Sequence, residues 1–194
     1  APGVRRLPQG RDRRPAGPAS RGAPRDRLRP TAARVRAGLY DSLGEWVVGR
    51  AVLDLFAGTG ALGIEALLRG ARRAVFVECD AAHVRALHEQ LRRQGLAQRA
   101  VVRREDAVEA PYRLARAGEV FDLVLLDPPY GMGLIARSLA AIVDSGVLAP
   151  GGRVVAEGHW RDRPTLPPGQ EMAREARYGE TALWFIRSSD GPRS

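Results

Sequence analysis

The sequence predicts an α/β fold, a doubly wound and mostly parallel sheet of seven strands that ends in an antiparallel hairpin. Short apolar runs alternate with amphipathic helices from residue 31 onward, which is typical of parallel strands joined by helices. The run 121–126 is almost entirely apolar, as expected of a strand that is covered on both faces. The last two strand-like segments, 172–178 and 181–187, are separated by two residues, which indicates a hairpin.

Each element follows from its local pattern. The other predicted strands span residues 51–56, 73–77, 99–103, 121–126 and 153–157. The predicted helices span residues 32–47, 61–69, 81–94, 107–117 and 134–144. Thr31 and Asp80 are suitable N-caps because their side-chain oxygens can accept hydrogen bonds from the first free N–H groups of a helix. Gly70 and Gly95 are suitable residues to end one.

Length and composition exclude several classes of protein. A chain of 194 residues with 44% hydrophobic residues is expected to form one domain of ordinary size. Its apolar runs are far shorter than the roughly 20 residues that cross a bilayer, and no secretory signal is recognised. The single cysteine, Cys79, excludes an intramolecular disulfide framework. We therefore expect a cytoplasmic protein without a membrane association.

The positive charge lies in the first fifth of the chain. Residues 1–36 contain eleven arginines and two aspartates, which accounts for the whole formal net charge of +9. Six prolines and no aromatic residue occur in the same segment, so it cannot bury enough apolar surface to fold by itself. We expect a basic arm over residues 1–28 that is either disordered or in contact with nucleic acid.

Carboxylates follow four successive predicted strands. Asp54, Glu78, Asp106 and Asp127 each stand at or just past a strand end. In an open parallel sheet the ligand binds beyond the carboxyl ends of the strands, where the strand order reverses. A single acid there is as readily a helix cap or a surface charge, but four in four units predict a ligand site lined by negative charge.

The turn Gly58–Gly63 has the pattern G-x-G-x-x-G, and Glu78 follows at the distance of a ribose-binding acid. This pattern fits two cofactor classes. Asp54 would repel the pyrophosphate of a nicotinamide dinucleotide, whereas it would attract a ligand that carries an ammonium and a sulfonium. We therefore expect S-adenosylmethionine rather than NAD, with Glu78 accepting from the ribose hydroxyls and Asp106 from the adenine amine.

The second motif is Asp127-Pro128-Pro129-Tyr130, directly after a buried strand. Two prolines fix φ and remove two backbone donors, so the turn presents acceptors only. Hydrogen bonds from an exocyclic base amine to Asp127 and to the Pro128 carbonyl favour the pyramidal, nucleophilic form of the nitrogen. Tyr130 is suited to stack on the base. No metal is needed for such a transfer, and the three histidines show no zinc-ligand spacing.

Several motifs occur together in this chain. They are Arg29-Pro30-Thr31, Arg34-Val35-Arg36, Leu39-Tyr40, Asp54 to Ala66, Glu78, Asp127 to Tyr130 and Tyr178 to Leu183. With this combination the sequence resembles the bacterial small-subunit (16S) ribosomal RNA guanine-N2 methyltransferases of the RsmD type, over most of residues 29–187. The resemblance implies a Rossmann-like class I methyltransferase domain over residues 29–188, between the arm 1–28 and a short tail, 189–194.

The resemblance also implies roles for individual residues. Those expected to bind the cofactor are Asp54, Phe56, Gly58, Gly60, Glu78, Asp106 and Ala107. Those expected to hold the target amine are Asp127, Pro128, Pro129 and Tyr130. Those expected to border the RNA are Arg29, Pro30, Thr31 and Arg34. The implied partner is ribosomal RNA, within the small subunit or an assembly intermediate.

Other interpretations remain open at this point. A related enzyme would methylate DNA adenine, another RNA or a protein glutamine, and a non-catalytic nucleic-acid-binding module would bind the cofactor without turnover. The loop from His159 to Pro168 contains Trp160, Arg161 and Arg163, and is either an RNA contact or a solvated loop.

Overall fold

A computed structural model describes residues 28–189, with side chains from residue 32 onward. The predicted arm, 1–28, lies outside the described residues except for the backbone of Leu28. The side chains of Arg29, Pro30 and Thr31 and residues 190–194 of the tail also lie outside them.

The chain alternates between helices and strands as predicted. The α-helices are α1 (Leu28–Leu43), α2 (Ala61–Leu68), α3 (Ala81–Arg93), α4 (Ala110–Arg116) and α5 (Leu134–Ser145). The strands are β1 (Ala51–Leu55), β2 (Arg73–Val77), β3 (Ala100–Arg103), β4 (Phe121–Leu126), β5 (Leu148–His159), β6 (Gln170–Tyr178) and β7 (Thr181–Ser188). Two 3₁₀ turns, Gly44–Val47 and Ala97–Arg99, precede β1 and β3.

The seven strands form one sheet in the order β3-β2-β1-β4-β5-β7-β6. The first five strands in this order are parallel, and β7 runs antiparallel to both of its neighbours. The predicted doubly wound fold and its C-terminal hairpin are therefore confirmed. The hairpin inserts β7 beside β5, so the second strand of the hairpin lies within the sheet and β6 forms the edge.

Both ends of α1 differ from the prediction for identifiable reasons. Thr31 was expected to cap a helix over 32–47, but α1 begins at Leu28 and Thr31 lies inside the first turn. Pro30 is tolerated there because the first N–H groups of a helix have no partner within it. The helix also ends earlier, since Gly44 has a φ of +54° and a 3₁₀ turn follows.

Strand β5 is longer than its predicted span, 153–157. It begins at Leu148 and incorporates the Pro150–Gly152 segment, where the register with β4 shifts between Phe121 and Leu123. The segment that was expected to be a separate turn is thus an irregularity within the strand. Asp80 caps α3 as predicted, because its Oδ1 accepts from the N–H groups of Ala82 and His83.

The core consists of two layers, one on each face of the sheet. One contains side chains of α1, α2 and α3, among them Leu39, Leu67 and Leu87. The other contains side chains of α4 and α5 together with the fully buried Trp184 of β7. No helix among residues 28–189 is long and apolar enough to span a membrane. With both faces covered, the carboxyl ends of the strands are the natural place for a ligand.

Candidate active site

The glycine turn connects β1 to α2 at the carboxyl edge of the sheet. Phe56, with a φ of +63°, is the one residue other than glycine with a positive φ between residues 28 and 189. Gly58 and Gly60 follow with φ values of +53° and +79°, a conformation that favours glycine. Three residues with left-handed backbone conformation within five positions turn the chain sharply, so that α2 begins close to the carboxyl end of β1.

Glu78, at the end of β2, is hydrogen-bonded to this turn. Its Oε2 accepts a hydrogen bond from the Gly58 N–H at 2.7 Å, and its Oε1 accepts one from the Asp80 N–H at 2.8 Å. The side chain is buried, with the residue 8% exposed. Glu78 therefore holds the glycine turn and the start of α3 together.

Asp54 lies beneath the turn rather than in front of it. The residue is 1% exposed, and its Oδ2 accepts from the Gly63 N–H at 2.9 Å. Burial raises the pKa of this carboxyl to about 7. The hydrogen bond from Gly63 lowers the pKa, and the charges of Asp127 and Glu78 raise it by smaller amounts each. Asp54 thus anchors the first turn of α2 from below.

A first cavity of about 520 Å³ opens between the glycine turn and the D-P-P-Y turn. It is lined by Phe56, Gly58, Glu78, Cys79, Asp80, His83, Asp127, Pro128, Pro129 and Tyr130. Within residues 32–189, the one basic side chain within 4.0 Å of its carboxylates is that of His83, whose Nδ1 lies 4.0 Å from both Glu78 and Asp80. The lining is therefore rich in carboxylates, and no arginine among residues 32–189 lies within 4.0 Å of them.

The glycines around this cavity are of two kinds. A Cβ on Gly58 would meet no atom within 4 Å, so the position opens toward free space at the cavity wall. A Cβ on Gly60 would instead lie 2.3 Å from Leu87 Cδ1, and one on Gly63 would lie 2.4 Å from Phe76 Cε1. Gly58 leaves room for a ligand, whereas Gly60 and Gly63 leave room for the core.

Asp106 and Ala107 lie after β3, outside the lining of the first cavity. Asp106 is exposed, and its Oδ1 accepts from the N–H groups of Val108 and Glu109, just ahead of α4. Ala107 is buried in the core layer of α4 and α5. Of the seven expected cofactor residues, the cavity thus brings together Phe56, Gly58 and Glu78, while Asp54 and Gly60 support it from behind.

The D-P-P-Y turn follows β4 and forms the other wall. Asp127 is exposed, yet the partial desolvation of its carboxyl by the surrounding protein raises its pKa to about 6. Pro128 is buried, and Tyr130 is 54% exposed.

A second cavity of about 340 Å³ lies on the far side of the same turn. Its walls come from the D-P-P-Y turn, the start of α5 and the loop after β5. Pro128, Pro129 and Tyr130 line both cavities. A group held at this turn can therefore contact one ligand on each side.

Sequence reasoning missed Glu157. This residue lies on β5, the neighbour of β4 in the sheet, and continues the series of acids at the carboxyl ends of the strands. Leu126 pairs with Ala156, so Glu157 follows at the level of Asp127. Burial, and then the charge of Asp127, raise the pKa of the Glu157 carboxyl to about 8. Its position at a predicted strand end was the available signal, since the same rule had selected Asp54, Glu78 and Asp127.

The segment expected to border the RNA lies at the start of α1. Gly38 packs so closely on the end of β6 that a Cβ there would lie 1.9 Å from the Tyr178 hydroxyl. The ring centroid of Trp46, just past the helix, lies 4.3 Å from the Arg153 guanidinium, which is six residues before the end of β5. Helix α1 thus runs opposite to the parallel strands, and its first turn, with the exposed Arg34 nearby, points toward their carboxyl ends.

Comparison with known proteins agrees with this arrangement. The model of the family described as Conserved hypothetical protein 95 matches residues 21–187. The chain belongs to this family, which includes the ribosomal RNA small subunit methyltransferase D proteins. The family match spans the glycine turn, the D-P-P-Y turn and the C-terminal hairpin.

Individual relatives cover most of the chain. The Escherichia coli (strain K12) protein named ribosomal RNA small subunit methyltransferase D is 35% identical over 156 residues, or 80% of this chain and 77% of that protein. The Bacillus subtilis (strain 168) protein YlbH is 34% identical over 157 residues, or 80% of this chain and 85% of that protein. The solved structure of Escherichia coli yhhF superposes with a TM-score of 0.74 at 32% identity, covering 82% of this chain and 88% of that one. The fold is that of the class I methyltransferases.

Proposed function

We propose that this protein transfers a methyl group from S-adenosylmethionine to the exocyclic N2 amine of a guanine in 16S ribosomal RNA. One observation carries the proposal: the D-P-P-Y turn separates two cavities and lines both. Membership of the family and the name of the Escherichia coli relative support methylation of small-subunit ribosomal RNA.

The first cavity suits the cofactor. Phe56, Gly58 and Glu78 would contact the cofactor directly. Asp54 and Gly60 would hold the glycine turn behind it. Asp106 and Ala107 would reach it from the end of β3. In the part of the chain that the structure describes, no arginine pairs with the carboxylates of the lining, which favours a cationic ligand over a pyrophosphate. When bound, S-adenosylmethionine supplies a methyl group that its sulfonium already activates.

The D-P-P-Y turn is proposed to hold the acceptor nitrogen. Asp127 and the Pro128 carbonyl accept hydrogen bonds from the two amine hydrogens, which keeps the nitrogen lone pair directed at the first cavity. Tyr130, exposed and lining both cavities, stacks on the target base in the second cavity. Because the methyl group is already activated, holding nitrogen, carbon and sulfur in line supplies most of the rate enhancement.

The RNA is proposed to reach the site along the start of α1. Arg29, Pro30, Thr31 and Arg34 would border it, and the basic arm 1–28 would contact the phosphate backbone, in a small subunit or an assembly intermediate in the cytoplasm. Deletion of residues 1–28 should weaken RNA binding and flatten its salt dependence, with cofactor affinity unchanged. RNA binding that is unchanged by the deletion would assign the arm no role.

The proposal is tested with small subunits isolated from cells that lack the enzyme. Incubation with purified protein and S-adenosylmethionine labelled on its methyl group, followed by digestion to nucleosides, should yield labelled N2-methylguanosine from 16S RNA. Mapping of the labelled position then identifies the target. Label in DNA adenine, in another RNA or in protein glutamine would reassign the substrate, and cofactor binding without transfer to any of these would identify a non-catalytic module.

A further inference from the structure

A row of aromatic rings leads away from the D-P-P-Y turn along the end of β5. The Tyr130 and His159 rings are 6.4 Å apart between centroids and meet edge to face at 72°. The His159 and Trp160 rings are 6.1 Å apart and inclined by 29°. The row connects the site that is proposed to hold the target base with Trp160.

Two arginines lie on the Trp160 ring. The Arg177 guanidinium is 3.9 Å from the ring centroid, and that of Arg161 is 5.0 Å from it. The Nε–H of Arg177 donates to the Gly179 carbonyl at 2.7 Å, which fixes the plane of its guanidinium. Such contacts hold a cation in one orientation at a small entropic cost.

Trp160 itself is well anchored. Its ring packs against the core layer of α4 and α5, and its backbone N–H donates to the Glu180 carbonyl at 3.0 Å. The adjacent residue, His159, pairs with Thr181 across the β5–β7 ladder. The indole is therefore held in a fixed position between β5 and the hairpin, and the two arginines that lie on its ring are positioned by it.

Among the described residues, Arg161 and Arg177 form no ion pair within 4.0 Å. Arg163, nearby in sequence, forms an ion pair with Glu175 at 3.1 Å. Within residues 32–189, neither Arg161 nor Arg177 lies within 4.0 Å of a carboxylate, although Asp162 and Glu180 are close in sequence. Two oriented, unpaired guanidinium groups beside a nucleotide site match the charge and hydrogen-bonding geometry of phosphate oxygens.

We propose that Arg161 and Arg177, held on Trp160, bind phosphodiester groups of the RNA strand that flanks the target guanine. This phosphate clamp rests on the proposed RNA methylation. Its continuity with Tyr130 and the second cavity favours RNA over an acidic protein, because the strand that delivers a base to the cavity must pass close to His159 and Trp160. The clamp contributes affinity and register, and the chemistry stays with the D-P-P-Y turn.

The test compares Arg177→Ala with a matched control, Arg174→Ala. Arg174 lies on the same strand, 5.9 Å from the Phe185 ring, at a separate surface lined also by Trp46 and Gly152. We expect Arg177→Ala to raise the KM for small subunits roughly fivefold to tenfold. It should also reduce the magnitude of the salt slope of RNA binding by about 1. The turnover number and the Kd for S-adenosylmethionine should stay unchanged, and Arg174→Ala should change none of these values.

Trp160→Leu tests the platform separately. This variant retains both arginines and an apolar side chain, so a clamp that depends on orientation predicts a KM increase similar to that of Arg177→Ala. Thermal unfolding reports whether the Trp160→Leu variant is folded. Arg161→Ala changes an exposed residue and measures the contribution of the second arginine to the KM independently.

Three outcomes would overturn the clamp while leaving the proposed function intact. These are an unchanged KM and salt slope in Arg177→Ala, an equal effect of Arg174→Ala, or a loss of turnover at saturating RNA in place of a higher KM. If the wild-type protein transfers no methyl group to RNA, the proposed function fails instead. In that case the salt slope of RNA binding by the same variants still tests the clamp.

Discussion

The glycine turn and the D-P-P-Y turn face each other across one cavity, but their carboxylates are used differently. Glu78 accepts two backbone hydrogen bonds, and Asp54 accepts one. The side chains of Asp127 and Glu157 accept no hydrogen bond in the described part of the chain, and burial raises the pKa of both. On one side the acids are bonded to the backbone, and on the other they are left without a donor.

This difference separates scaffold from reaction site. A carboxylate that accepts hydrogen bonds from fixed N–H groups stiffens the backbone that supplies them. A carboxylate that accepts no hydrogen bond from residues 32–189 keeps its acceptor oxygens available, so a ligand that brings N–H groups can bind there without breaking a bond within the protein. The glycine turn is thus complete without a ligand, whereas the D-P-P-Y turn offers acceptors to one. Substitutions on the two sides should therefore affect different measured constants.

The largest effect is expected from Asp127→Ala. Loss of this acceptor leaves the target amine without one of its two hydrogen bonds, so the turnover number should fall by about 10² to 10³. The Kd for S-adenosylmethionine should change little because Glu78 and the glycine turn are intact. Single-turnover methyl transfer and calorimetric titration of the cofactor measure the two constants.

Asp144→Ala is the matched control. Asp144 is exposed near the end of α5, where its Oδ2 accepts a 3.5 Å hydrogen bond from the Tyr112 hydroxyl. This variant should retain full activity. Undiminished turnover in Asp127→Ala would show that Asp127 is not the acceptor for the target amine. An equal loss of turnover in Asp127→Ala and Asp144→Ala would indicate a general loss of structure.

Asp54→Asn should change how stability depends on pH. The pKa of Asp54 is about 7 in the folded protein, against an ordinary value of 3.8. A raised folded-state pKa means that the folded state holds the proton more tightly, so stability is highest below about pH 4 and falls as the pH rises through 7. Between pH 5 and pH 8 this single group should cost on the order of 2 to 3 kcal/mol of the free energy of unfolding.

The asparagine variant removes that titration while its carbonyl oxygen can still accept from Gly63. Urea unfolding at several pH values should therefore give a flatter profile than the wild-type protein. The remaining slope should come from Asp127 and Glu157, whose folded-state pKa values are also raised. Parallel profiles for wild type and variant would show that Asp54 keeps an ordinary pKa and is not the buried anchor described above.

Much of the two turns could be predicted from the sequence because the signals are local. Glycines at Gly58 and Gly60 and prolines at Pro128 and Pro129 restrict the backbone wherever they occur. Strand alternation then places both turns at the same edge of the sheet. The seven strands were predicted for the same reason, since each is a short run with its own pattern.

The remaining features depend on contacts between distant segments. That Asp54 lies under the turn is set by the packing of α2 on β1, and no neighbour in sequence indicates it. The Arg177–Trp160 contact joins residues 17 positions apart through the hairpin register. The long β5 depends on a ladder with β4 that continues across a glycine-rich irregularity. Local patterns carry no information about these alignments.

Glu78→Gln should give the smallest effect and the clearest contrast with Asp127→Ala. A glutamine has one acceptor oxygen, so it can serve either the Gly58 or the Asp80 N–H while its own amide group meets the other donor. The glycine turn should loosen, and the Kd for S-adenosylmethionine should rise about tenfold, which corresponds to roughly 1.4 kcal/mol. At saturating cofactor the turnover number should stay within about threefold of the wild-type value.

Glu89→Gln provides the matched control, since Glu89 is an exposed acid of α3 that pairs with Arg92 and Arg93. It should leave the cofactor Kd unchanged and lower the melting temperature only slightly. If Glu78→Gln instead reduced turnover at saturating cofactor as strongly as Asp127→Ala, the two turns would act as one unit. The separate roles assigned to the glycine turn and the D-P-P-Y turn would then be wrong, because loosening the glycine turn would displace the D-P-P-Y turn.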